Sequence, residues 1–125
     1  MKISVQICRH SLTSRGLSPA DSDCGAVVEF AGVVRAQEDS APLAGLRYQA
    51  YESMALSEMA KILRSLEESY PCHSVEVWHR LGDVPVGEAS LLVRIESRHR
   101  AEAFGLLAAF MDRLKEDVPI WKIAP

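Results

Sequence analysis

The sequence predicts an α+β fold, a mixed or antiparallel sheet with two main helices packed on one face. Three observations carry this. Several short segments alternate apolar and polar residues with a period of two, as half-buried strands do. Two longer segments repeat their apolar residues every three or four positions, as amphipathic helices do. The two kinds follow one another in the order β-β-β-α-β-β-α-β.

The first strand is "KISVQI" (Lys2–Ile7), with Ile3, Val5 and Ile7 on one face. Residues 9–24 are polar and contain Gly16 and Pro19. They read as a loop with one short helical turn after Ser18-Pro19. "GAVVEFAGVVR" (Gly25–Arg35) is a long β-branched run, and Gly32 within it marks a bulge or a close backbone approach. "AQEDSAPLA" (36–44) is a polar loop, and "GLRYQAYE" (45–52) alternates again, with Leu46, Tyr48 and Ala50 on one face.

From Ser53 to Tyr70 the period changes. Ala55, Met59, Ile62, Leu63, Leu66 and Tyr70 form one stripe, and Glu58, Lys61, Arg64, Glu67 and Glu68 take the opposite side. "SVEVWHRLG" (74–82) and "ASLLVRIES" (89–97) are strands joined by the Gly/Pro turn "DVPVGE". The second helix runs from about His99 to Lys115, with Phe104, Leu107, Ala108, Met111 and Leu114 as its stripe. Pro119 ends it, and "PIWKI" is extended. With 125 residues and no linker or repeat, the chain reads as a single domain over 1–125.

Bulk properties narrow the function. The composition, 48% hydrophobic and 25% charged, is that of an ordinary globular protein. A net charge of −3 gives no basic field for nucleic acid, and sparse aromatics argue against an RNA-binding sheet face. No run reaches the ~18 apolar residues of a membrane helix, and the N-terminus lacks a secretory pattern. The expectation is a cytoplasmic protein. Cys8, Cys24 and Cys72 are odd in number and widely spaced, so they make neither a disulfide framework nor a zinc site. No Gly-rich phosphate loop, Ser-His-Asp order or metal-ligand spacing occurs, and no cofactor is expected.

The candidate chemistry lies in basic residues. "SRHR" (Ser97–Arg100) opens the second helix, where unpaired N–H groups and basic side chains together suit an anion such as phosphate. The alternative is surface charge paired to acidic loops. Arg35 stands at the end of an apolar strand beside an open loop, a position from which scaffolds present binding residues. Near the chain end, "LKEDVPIWK" sets Lys115 and Lys122 around a proline. Lys115 also has a structural reason for its place, because a helix C-terminus favours a cation. Lys122 has none, and the Trp121 ring beside it would shield its ammonium. Either lysine suits proton donation, oxyanion stabilisation or amine nucleophilicity. His79, within "VWHRLG", reads as a satisfied sheet residue.

One distance constrains the site. About 16 residues of helix span ~24 Å at ~1.5 Å per residue. His99 and Arg100 therefore stand far from Lys115 in one chain. A two-fold dimer would bring the start of one helix to the end of the other.

Taken together, "GAVVEFAGVVR", "YQAYESMA", "VEVWHRLGDVPVGEASLLV" and "SRHRAEAFGLLAAFMDRLKEDVPIWK" resemble, in order and spacing, the MoaE family, the large catalytic subunits of molybdopterin synthase. The resemblance covers roughly residues 25–122 and implies an α/β hammerhead-type domain. It implies a homodimer within a heterotetramer, each end binding a small ubiquitin-like sulfur carrier through its Gly-Gly thiocarboxylate tail. The implied reaction is sulfur transfer to cyclic pyranopterin monophosphate, forming the dithiolene of molybdopterin. By the same resemblance Lys115 and Lys122 are catalytic, and Arg35, His99 and Arg100 bind substrate, the last two from the neighbouring subunit. The sequence departs from the family in its acidic loop after Arg35 and in stopping at "WKIAP". Those departures keep open a non-catalytic paralogue that binds a carrier or a small anion.

Overall fold

The computed structural model describes residues 1–123. Its elements, in chain order, are β1 (Lys2–Cys8), β2 (Ala26–Val33), β3 (Gln37–Glu38), β4 (Ala41–Pro42), β5 (Gly45–Ala50), α1 (Glu52–Leu66), β6 (Ser74–Arg80), β7 (Gly82–Pro85), β8 (Ala89–Ser97), α2 (Arg100–Asp117) and β9 (Ile120–Ile123). The main sheet has the order β1-β6-β8-β2. β1 runs parallel to β6, and the other two pairings are antiparallel, so the sheet is mixed. A second sheet, β7-β5-β9, is wholly antiparallel.

Alternation along the strands decides what the main sheet buries. Val75 and Val77 of β6, with Leu91, Val93 and Ile95 of β8, point to the helix side. There they meet Ala55, Met59, Ile62 and Leu63 of α1, and Ala103, Leu106, Phe110 and Leu114 of α2. The intervening residues face the other way and, apart from Leu92, are polar or aromatic. The polar segment 9–24 crosses that side. Arg15 stacks its guanidinium 4.6 Å from the centre of the Trp78 ring. Buried Arg94 bonds Glu96 at 3.1 Å and donates to the carbonyls of Gly16 and Ser18. An internal ion pair thus ties a loop without secondary structure to the sheet.

The structure departs from the expected elements in several places. No helical turn follows Pro19; the segment passes through bends and one turn. The loop after Arg35 contains the hairpin β3–β4, and β7 lies inside the predicted Gly/Pro turn. The buried stripe of α2 is also rotated: Phe104, expected in the core, is 56% exposed, whereas Ala103, Leu106 and Phe110 are fully buried. Gly32 behaves as expected, with the β2–β8 register shifting between Gly32 and Val33. Neither helix is long and apolar enough to cross a membrane.

Candidate functional site

The site is built where α2 ends. The backbone turns extended at Val118, whose N–H still bonds the Leu114 carbonyl. Pro119 cannot continue the helix, and its carbonyl accepts from Tyr51 N–H at 3.2 Å. The chain then enters β9, which pairs with β5 in the register Tyr48↔Lys122 and Gln49↔Trp121. Neighbouring strand residues point to opposite sides. The Trp121 ring packs edge-on against Tyr51, 5.2 Å between centres, its Nε1 donates to Gln49 at 3.2 Å, and it also borders the cleft that Lys122 lines.

Against β9 lies a cleft of about 470 Å³. Phe30, Leu91, Met111, Leu114 and Ile120 give it an apolar lining, and Lys115 and Lys122 bring two ammonium groups to it. Tyr48, His79 and Ser90 add polar groups. A smaller cavity of about 50 Å³ is lined by Arg35, Glu38, Tyr48 and Lys122. Tyr48 and Lys122 belong to both cavities, so Arg35 adjoins the main cleft.

The structure therefore gathers three of the five expected site residues, Arg35, Lys115 and Lys122. His99 and Arg100 remain at the opposite end of α2 and line none of these cavities. His99 is the residue preceding the helix, in extended backbone, and its side chain does not cap the helix amides. Of the basic residues in "SRHR", Arg98 is held by Asp23 at 2.7 Å. Among the described residues, His99, Arg100, Arg35 and Lys115 form no ion pair.

Lys122 does form one. Its Nζ lies 2.7 Å from Glu38 Oε1, and the hydrogen bond from Lys122 holds the Glu38 carboxyl below the usual carboxylate range. The β3–β4 turn makes this contact possible. Asp39 and Ser40 both have positive φ, 51° and 66°, as a two-residue hairpin turn requires, and the hairpin carries Glu38 back to β9.

His79, read from sequence as a sheet residue, also reaches the cleft. It lies on the same face of β6 as Val75 and Val77, and that alternation was the available signal. It is 6% exposed, and burial pushes its imidazole pKa down. Its Nδ1 sits 3.0 Å from the Arg80 carbonyl, and its ring packs against Tyr48 with centres 5.3 Å apart. The cysteines offer no nucleophile at the cleft. Burial pushes Cys72 up to about 11 and raises Cys24, so both stay as thiols near neutrality.

Comparison with known proteins points the same way. A molybdopterin synthase catalytic subunit from Drosophila erecta is 43% identical over 104 residues, covering 82% of this chain. The chain spans only 28% of that relative's length. The crystal structure of molybdopterin synthase from Staphylococcus aureus superimposes with a TM-score of 0.84 at 28% identity, covering 95% of this chain and 90% of that one. A complex of subunits 1 and 2 of molybdopterin-converting factor from Helicobacter pylori gives 0.78 at 27% identity, covering 96% and 83%. The pattern of the MoaE protein family matches residues 3–117, and by that match, on this fold, the chain belongs to the MoaE family.

Proposed function

We propose that the protein is the catalytic subunit of a molybdopterin synthase. In this reading it accepts the thiocarboxylated Gly-Gly tail of a small ubiquitin-like carrier and transfers the sulfur to cyclic pyranopterin monophosphate. The observation that carries the reading is the convergence of Lys115 and Lys122, from different elements, on one apolar-lined cleft with Arg35 beside it. An apolar wall lowers the local dielectric and strengthens each ammonium's hold on developing negative charge. The tetrahedral oxyanion formed as sulfur leaves the carrier's carbonyl is such a charge. Arg35 supplies a planar donor suited to phosphate or carboxylate. The sulfur comes from the carrier, which agrees with thiols that stay protonated. The Helicobacter complex of two converting-factor subunits supports a small partner. His99 and Arg100 enter the site from a second copy of the chain. Three free cysteines fit a reducing, cytoplasmic setting.

One observation favours a second reading, a carrier-binding paralogue without turnover: Glu38 already occupies the Lys122 ammonium. A single assay separates the two. The protein is mixed with thiocarboxylated carrier and cyclic pyranopterin monophosphate, and dithiolene product is measured. Wild type forms product, and Lys115→Ala lowers the rate ~10²-fold or more while still binding carrier. A wild type that binds carrier but makes no product, where a reference synthase works, sustains the second reading and removes the first.

A further inference from the structure

We propose that His79 is a further catalytic residue, the general base for the water that releases the carrier from its sulfur. The proposal rests on the sulfur-transfer reading above. That reaction leaves one step without an assigned group. The carrier's acyl carbon must exchange sulfur for oxygen before the spent tail can leave as a carboxylate. A bond forms between water oxygen and that carbon, and the carbon–sulfur bond breaks. The bonding pair departs with sulfur, now attached to the pterin. One water proton goes to the base, and the second is lost to solvent from the new carboxylic acid.

Few side chains in the cleft can take that proton. Lys115 and Lys122 offer N–H donors and no acceptor. Tyr48 is a phenol and Ser90 an alcohol, both poor bases there. Glu38 lines the smaller cavity and is not among the residues that line the cleft. An imidazole remains, and its geometry is suitable. The Arg80 carbonyl, 3.0 Å from Nδ1, can only accept, so Nδ1 carries the proton and Nε2 keeps its lone pair. Nε2 has no hydrogen-bond partner among the described residues. The buried side-chain nitrogen without a partner among them is Nε of Arg80, not Nε2 of His79. The space that the His79 side chain lines is the cleft.

Two further features suit a base. The edge contact with Tyr48 fixes the ring plane. The titratable groups sharing the cleft from other elements are Lys115 on α2, Lys122 on β9 and Tyr48 on β5; none is an anion that would hold an imidazolium. Burial acts in the same direction, keeping the ring neutral and ready to accept.

The test is single-turnover sulfur transfer with His79→Gln, which keeps a polar side chain but removes the base. Carrier affinity, measured by calorimetry, stays within about threefold of wild type. Product formation falls ~10²- to 10⁴-fold, and intact-mass analysis shows a carrier–pterin thioester accumulating. The smaller His79→Ala, which leaves space for a free base, recovers activity when imidazole is added to the buffer. Imidazole does not rescue a role in packing alone. An active wild type with an equally active His79→Gln overturns this proposal alone. So does a slow variant with neither thioester nor imidazole rescue. A wild type that makes no product overturns the sulfur-transfer reading, and this step falls with it.

Discussion

Lys122 does not project into open solvent; its ammonium is engaged by Glu38 at 2.7 Å, with Lys122 half exposed and Glu38 27% exposed at their side chains. Ion pairs this accessible contribute little net stability, so an incoming anion of the same kind can displace Glu38. A carrier tail ending in carboxylate or thiocarboxylate is such an anion. The expected outcome for Glu38→Gln is several-fold tighter binding of the carboxylate-terminated carrier and unchanged binding of a carrier ending in an amide. Weaker binding would make Glu38 an orienting partner of Lys122 instead. The pH sense follows from the shift. Because Lys122 depresses the Glu38 pKa, the pair is intact above the ordinary carboxylate range and is lost only as pH falls through the lowered value. In wild type the competition therefore persists throughout the neutral range. Sequence could find Arg35, Lys115 and Lys122, because each is a cation at an element's end. It could show only that the loop after Arg35 is acidic, since the Glu38–Lys122 contact depends on two non-glycine residues adopting positive φ. His79 is obscured for a different reason: a histidine within a strand has the same pattern whether it fills a core or lines a cleft.

The two helices show when periodicity suffices. In α1 charges occupy one side, so the apolar stripe has a defined phase, and Ala55, Met59, Ile62 and Leu63 are buried as expected. From Ala103 to Met111, α2 is apolar or glycine at every position. A stripe can be drawn there at more than one phase, and tertiary packing chooses. The chosen face brings small residues inward. A Cβ placed on Gly105 would lie 2.4 Å from Cε1 of Tyr70, nearer than side-chain atoms tolerate. Glycine costs a helix interior about 1 kcal/mol relative to alanine, yet overpacking here costs about 1–3 kcal/mol. Gly105→Ala is therefore expected to destabilise the protein despite its better helix propensity, as measured by urea unfolding. Truncating the ring relieves the clash, so Gly105→Ala combined with Tyr70→Ala should cost less than the two single changes summed. Stabilisation by Gly105→Ala alone would show that Tyr70 moves aside freely.

At the scale of the whole molecule, the length of α2 decides how the site is completed. From Arg100 to Lys115 the axis rises ~22 Å at ~1.5 Å per residue, and the main cleft opens only at the Lys115 end. A small substrate touching both ends must lie between two chains, with the second chain's helix start facing the first chain's helix end. Complementation tests this directly. Lys115→Ala alone and the double variant His99→Ala/Arg100→Ala should each be inactive as pure proteins. In a mixed dimer, the intact lysine of one chain meets the intact His99 and Arg100 of the other, while the second site carries both lesions. Random exchange gives about half mixed dimers, each with one working site of two, so about a quarter of wild-type activity should return. Native mass spectrometry confirms that chains have exchanged before activity is read. Exchange without recovery would place His99 and Arg100 outside the reaction, and the anion they suit at the start of α2 would then be bound for another purpose.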